Sequence, residues 1–122
     1  MTTTIKAKPQ KKETPKENTL IESERQTIVH IEILAGGNMR IWPSTYLIEN
    51  ETGNRLKLLK SFNISNYPQW QYIQKGGNFT LIFEGLSKDC RVFKLIEIIP
   101  ESGAFLFENI KRNESDVYRI SL

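Results

Sequence analysis

The chain has 122 residues, 39% of them hydrophobic and 25% charged, a size that fits one domain around a single modest core. No run of about 18 apolar residues occurs, which excludes a transmembrane helix, and a lone cysteine, Cys90, excludes an internal disulfide and agrees with a reducing compartment. Five of the 17 basic and two of the 14 acidic residues fall within residues 1–19, so that stretch carries the whole net charge of +3 and the rest balances at twelve against twelve.

Residues 1–19 are built from Thr, Lys, Pro, Gln and Glu, with Met1 and Ile5 as the large apolar side chains. Such a segment buries too little apolar area to offset roughly 1–2 kcal/mol of backbone ordering entropy per residue. Residues 20–26 form a transition with room for one helical turn. The expectation is a disordered lysine-rich tail over residues 1–26 and a folded domain over residues 27–122. The N-terminus lacks the continuous apolar segment of a secretory signal, which points to a cytoplasmic protein.

From residue 27 the apolar period becomes two. Val29, Ile31 and Ile33 alternate with His30 and Glu32, predicting a half-buried strand. Gly36, Gly37 and Asn38 make a turn, after which residues 39–42 are expected to return as a second strand. Pro43 interrupts the ladder and residues 46–49 resume it. A turn over residues 50–54 leads into residues 55–60, where Leu56 and Leu58 alternate with Arg55 and Lys57 until Leu59 breaks the pattern. Residues 61–77 read as irregular and aromatic, ending in the tight turn at Gly76 and Gly77. Residues 79–84 are the clearest strand, with Phe79, Leu81 and Phe83 on one face. Strands over residues 91–99, 104–108 and 117–122 follow.

About eight short strands, with turn signals every 8–12 residues or so, leave no room for crossover helices. The fold class expected is all-β, an antiparallel sandwich or small barrel of about 7–8 strands.

Nucleophilic catalysis needs a nucleophile beside an oriented base, and with one histidine the pair His30 and Cys90 is the sole candidate. Its plainer reading is a surface histidine and a half-buried thiol. Zinc needs four Cys or His ligands, and two aspartates, Asp89 and Asp116, are too few for a calcium loop. No metal and no cofactor is therefore expected. Both Gly-Gly pairs sit between strands and read as hairpin turns, since a phosphate cradle needs a glycine-rich loop opening a helix. Glu49, Glu84, Glu97 and Glu108 offer carboxylates for glycoside hydrolysis, but nothing in the sequence pairs any two of them.

Two features remain for binding. Lys6, Lys8, Lys11, Lys12 and Lys16 make an electrostatic arm suited to the phosphates of RNA, although a merely solubilising tail has the same composition. Lysine without arginine favours non-specific contact, because it lacks the fork that reads bases bidentately. The second feature is the group Trp42, Tyr46, Tyr67, Trp70 and Tyr72, near Arg40, Lys60 and Lys75, which can stack single-stranded bases or cap the open end of a sandwich. Ile41 and Trp42 cannot both point inward, and Trp42 is read as core. Tyr67 and Trp70 lie in a long connection and are read as a docking face.

The segments Arg40-Ile-Trp-Pro-Ser-Thr-Tyr-Leu47, Phe79-Thr-Leu-Ile-Phe-Glu-Gly-Leu86 with Phe93-Lys-Leu-Ile-Glu97, and Asn109-Ile-Lys-Arg-Asn-Glu-Ser-Asp-Val-Tyr118 resemble a group of small uncharacterised β-sandwich proteins from Bacteroidota, and more distantly an Ig-like module of other bacterial proteins. The likeness covers roughly residues 28–122. It implies an Ig-like sandwich and a bacterial, non-enzymatic module, and it names no substrate. The functional expectation is a non-catalytic accessory subunit of a cytoplasmic assembly, ribosomal or otherwise built on RNA. The alternative is an adaptor domain that binds a protein through a sheet edge or the aromatic loop over residues 62–72.

Overall fold

Strict alternation of apolar side chains gives strands with one buried face, and the computed structural model, which describes residues 25–122, contains nine strands, several of that kind. These are β1 (Gln26–Glu32), β2 (Gly37–Met39), β3 (Thr45–Glu49), β4 (Arg55–Phe62), β5 (Gln71–Ile73), β6 (Asn78–Glu84), β7 (Val92–Glu97), β8 (Leu106–Lys111) and β9 (Val117–Ser121). The all-β expectation holds. No helix among the described residues is long and apolar enough to cross a membrane.

Seven strands form one sheet in the order β8-β7-β3-β4-β6-β1-β9, and β2 pairs with β5 in a separate two-stranded ladder. The large sheet curls on itself. Phe93 on β7 and Tyr118 on β9 are five strands apart in that order, about 24 Å in a flat sheet, yet their rings meet edge to face with centroids 4.9 Å apart. The result is a half-barrel, or a sandwich folded from a single sheet, with β8 and β9 as its two edges. Val29, Ile31, Leu47, Phe79, Leu81, Phe83, Phe93 and Leu95 fill the interior with no exposed surface. Each such side chain contributes roughly 1.5–3 kcal/mol by leaving water. Ile41, Ile64 and Ile73, from the β2–β5 side, join the same core.

Several elements differ from the sequence reading. β1 begins at Gln26, one residue inside the segment assigned to the tail. The strand expected over residues 39–42 does not return onto β1, because β6 and β9 already occupy both edges of β1. It is the shorter β2, and it pairs with β5 inside the stretch read as irregular. The β1–β9 ladder is parallel; the two strands are the first and last of the fold, so the whole domain serves as their crossover. The break at Leu59 becomes a shift of register between Leu58 and Lys60 against β6, a bulge that turns the rest of β4.

Two carboxylates sit on the inner face, Glu49 at the end of β3 and Glu97 at the end of β7, both buried. Glu49 accepts hydrogen bonds from the Ser87 amide (2.6 Å), the Ser87 hydroxyl (2.7 Å) and the Thr52 hydroxyl (2.6 Å), which ties the 85–91 loop to the β3–β4 turn. At the β8–β9 turn, Arg112 donates from Nε and Nη2 to Asp116 at 2.9 and 3.0 Å and reaches the Ser87 carbonyl. Those bonds hold the two edges of the sheet together at one end.

Candidate nucleic-acid interface

Because side chains alternate along extended backbone, burying Ile41 forces Arg40 and Trp42 to the other side of the chain. That backbone is laced to the 63–70 connection: Ile41 N–H donates to Ser65 O at 2.9 Å and Tyr67 N–H donates to Ile41 O at 2.8 Å. Arg40 and Trp42 are thereby brought against Tyr67 and Trp70. Trp42 and Tyr67 stack with centroids 3.8 Å apart at 27°, and the Arg40 guanidinium carbon lies 3.9 Å from the Trp70 ring centre, 4.7 Å from that of Tyr67 and 5.7 Å from that of Trp42. Trp42 is thus half-buried on a surface stack, and the core position assigned to it belongs to Ile41.

Tyr67 and Trp70 are exposed, as are Phe62 and Tyr72, with Trp70 retaining 56% and Tyr72 63% of their surface. Arg40 is mostly covered. Its Nη1 donates to the Pro68 carbonyl at 3.0 Å and its Nη2 faces both oxygens of the exposed Glu101 at 3.3 and 3.4 Å. Among the described residues its buried Nε finds no hydrogen-bond partner.

Glu97 braces this surface from inside. Its oxygens accept the Trp42 amide at 3.2 Å and the Phe105 amide at 3.3 Å, joining the aromatic stack to the β7–β8 loop that carries Glu101. Burial raises its pKa above the ordinary value, and the charge of Glu101 adds to that, although the two backbone donors and Thr45 pull the other way. A cleft of about 490 Å³ opens here, lined by Met39, Arg40, Trp70, Glu97, Leu106 and Phe107 among others.

Glu97 and Glu101 are acids at the stack, whereas the stretch of chain that supplies Tyr67 and Trp70 is basic. Between Glu51 and Glu84 the chain has no acidic residue, while Arg55, Lys57, Lys60 and Lys75 are all basic. The sequence carried this signal, but balancing charge over the whole domain hides it.

The other candidate groups are kept apart. His30 Nδ1 pairs with the Thr80 hydroxyl at 2.8 Å on the outer sheet face, whereas Cys90 is a buried core residue whose thiol pKa is pushed up to about 11 by burial and the nearby charges of Glu49 and Glu51. Glu49 and Glu97 lie four residues apart along paired strands, about 13 Å, and each is committed to its own loop. Among the described residues no group of three His, Cys, Asp or Glu side chains is placed to hold a metal ion. Lys6, Lys8, Lys11, Lys12 and Lys16 lie outside the described residues.

No protein family, no curated protein and no solved structure matches the chain. The functional reading therefore rests on its own geometry.

Proposed function

We propose that the protein is a non-catalytic module that binds single-stranded RNA as an accessory subunit of a larger assembly, such as a ribosome or another RNA–protein particle. The observation that carries this reading is the Trp70 ring, backed on one side by Arg40 and exposed elsewhere, within a stretch of chain that is basic and free of acid. Bases stack on exposed aromatic rings without sequence preference, and flanking cations draw in the phosphates. The lysines of residues 1–19 would add non-specific phosphate contacts, so affinity should fall steeply with salt.

Fluorescence anisotropy of the full chain with labelled oligouridine, at low and moderate salt, tests the proposal, with ribosome co-sedimentation as its cellular counterpart. Trp70→Ala should weaken binding by about 1–3 kcal/mol without lowering the melting temperature, because that ring packs on the surface. Absence of oligouridine binding at low salt refutes the reading.

A second reading, docking of a partner protein by strand addition, is favoured by one observation: β8 is an edge strand of the sheet and Leu106 on it is 53% exposed. Deleting residues 1–19 separates the two. An adaptor keeps its partner, while an RNA-bound subunit loses affinity and part of its salt dependence.

A further inference from the structure

We propose that Arg40 is the phosphate anchor of this face, occupied by Glu101 until an RNA phosphate replaces it; the inference rests on the RNA-binding reading above. In a guanidinium, the Nε proton and one Nη2 proton lie along the same edge and point the same way. A carboxylate or phosphate uses that edge best by placing one oxygen on each nitrogen. Glu101 does not do so. Both of its oxygens face Nη2, at 3.3 and 3.4 Å, which is long for a charge-assisted bond, and Nε is left buried and unpaired among the described residues. The fork is half used.

The rest of the guanidinium is fixed in advance. Nη1 is tied to the Pro68 carbonyl at 3.0 Å, and the plane is set by Trp70 and Tyr67. Glu101 is 44% exposed against 13% for Arg40, so it is the open partner of the pair and holds Nη2 only through long bonds. It can swing into water when a competitor arrives. The two free oxygens of a phosphodiester match the Nε–Nη2 edge, and the exposed part of Trp70 then lies within one nucleotide of the anchored phosphate for the next base to stack. A phosphate gains two donors where Glu101 engages one. Glu101 thereby acts as an internal competitor that sets the affinity threshold.

The experiment titrates the full chain with a labelled oligouridine of about twelve nucleotides, within the usual footprint of such sites. It compares wild type, Glu101→Gln, Arg40→Lys and the control Glu114→Gln, which removes an exposed acid on the β8–β9 turn. Glu101→Gln should tighten binding roughly three- to tenfold and Glu114→Gln less than about twofold, since one vacates the fork and the other only changes net charge. Arg40→Lys should weaken binding about tenfold with an unchanged salt slope, because it keeps the charge and loses the fork.

If wild type binds and neither Glu101→Gln nor Arg40→Lys differs from the control, the anchor is overturned and the RNA-binding reading stands. If neither wild type nor Glu101→Gln binds oligouridine, both fall. Binding of polyglutamate instead of oligouridine also overturns both and assigns the face to an acidic protein. Should Arg40→Lys melt early, the comparison of Glu101→Gln with Glu114→Gln decides.

Discussion

Glu49 and Glu97 face the same interior from opposite ends of one strand pair, Glu49 opposite Phe93 and Glu97 opposite Thr45 in the β3–β7 ladder, and their acidities move in opposite directions. For Glu49, burial raises the pKa, but donors from Ser87 and Thr52 and the charge of Arg112 outweigh it and leave the group below its ordinary value of 4.5. For Glu97, burial dominates its two backbone donors and leaves the group above 4.5.

The two shifts predict a stability curve with a maximum on the acid side of neutrality. A raised carboxylate favours folding while protonated, so the contribution of Glu97 is complete below 4.5 and is lost as pH rises through its folded pKa. A lowered carboxylate does the reverse, so the contribution of Glu49 holds above 4.5 and is lost as pH falls through its folded pKa. Urea denaturation followed by tryptophan fluorescence should show stability rising as pH falls from neutrality toward 4.5 and falling again below 4.5. Glu97→Gln should flatten the upper limb, and Glu49→Gln should cost about 2–3 kcal/mol at neutral pH by removing charged acceptors from Ser87 and Thr52. An upper limb unchanged in Glu97→Gln contradicts the assignment.

How far this was legible in the sequence depends on the range of the interaction. Period-two alternation marked β1 and β6 because every residue needed for it is local, and the break in the pattern at Leu59 falls where the bulge lies. The pairing of β2 was not legible, since it depends on β6 and β9 having taken both edges of β1. Glu49 and Glu97 stood among four candidate carboxylates, with nothing in the sequence to mark these two as the buried ones. Their donors Ser87 and Trp42 are 38 and 55 residues away, and only the fold brings them close. The aromatic group was visible as composition. Its organisation around Arg40 was not, because Ile41 rather than Trp42 takes the core position, and Glu101 is 61 residues from Arg40.

At high pH the other end of the barrel should fail first. Burial pushes the Tyr118 phenol up to about 12 from 10.0, with its hydrogen bond to Asp116 reinforcing the shift, and burial pushes the Cys90 thiol to about 11 from 9.0. Both folded values lie above the unfolded ones, so both groups favour folding in their neutral forms. Their contributions are complete below about pH 9 and disappear as pH rises, Cys90 between 9.0 and about 11 and Tyr118 between 10.0 and about 12. Each is worth roughly 2–3 kcal/mol at the far end of its window. Melting temperature should fall steeply from about pH 9 to 11. In the double variant Tyr118→Phe/Cys90→Ala the slope, more than the starting value, should diminish. An equally steep fall in that variant would place the alkaline transition elsewhere.

Asp116 is the most connected side chain at the β8–β9 turn. Buried at 3% exposure, it accepts from Arg112 twice, from Arg25 at 3.1 Å and from the Tyr118 hydroxyl at 2.9 Å, while its own backbone sits at φ 56°. Asp116→Ala leaves the Arg112 guanidinium partly buried without its counter-charge and places a β-carbon residue in left-handed backbone without the local hydrogen bonds that Asp makes. The expected loss is about 3–5 kcal/mol. Asp116→Asn keeps the backbone preference and one acceptor, and should lose about half as much. Chemical denaturation of the two variants checks the order, and equal losses would show that the charge of Asp116 accounts for the whole effect, its backbone preference and remaining acceptor contributing nothing.

The start of β1 gives a sharper steric test. A β-carbon on Gly85 would lie 2.6 Å from the Arg25 carbonyl oxygen and 3.0 Å from its carbon, both backbone atoms that cannot rotate away. Gly85→Ala must therefore push apart the β6 exit and the β1 entry, weakening the ladder in which Gln26 pairs with Glu84. A destabilisation of about 1–3 kcal/mol follows from overpacking of this kind. Gly37, on β2, supplies the control: it has no atom within 4 Å of the added carbon and no positive φ. Gly37→Ala should be neutral or stabilise by about 0.4–1 kcal/mol, through the entropy removed from the unfolded chain. Amide hydrogen exchange localises the effect, with faster exchange expected at Thr27 and Ile28 in Gly85→Ala and unchanged rates there in Gly37→Ala. Unchanged protection at both residues in Gly85→Ala would mean that the backbone of Arg25 yields freely and that the close approach does not anchor the strand.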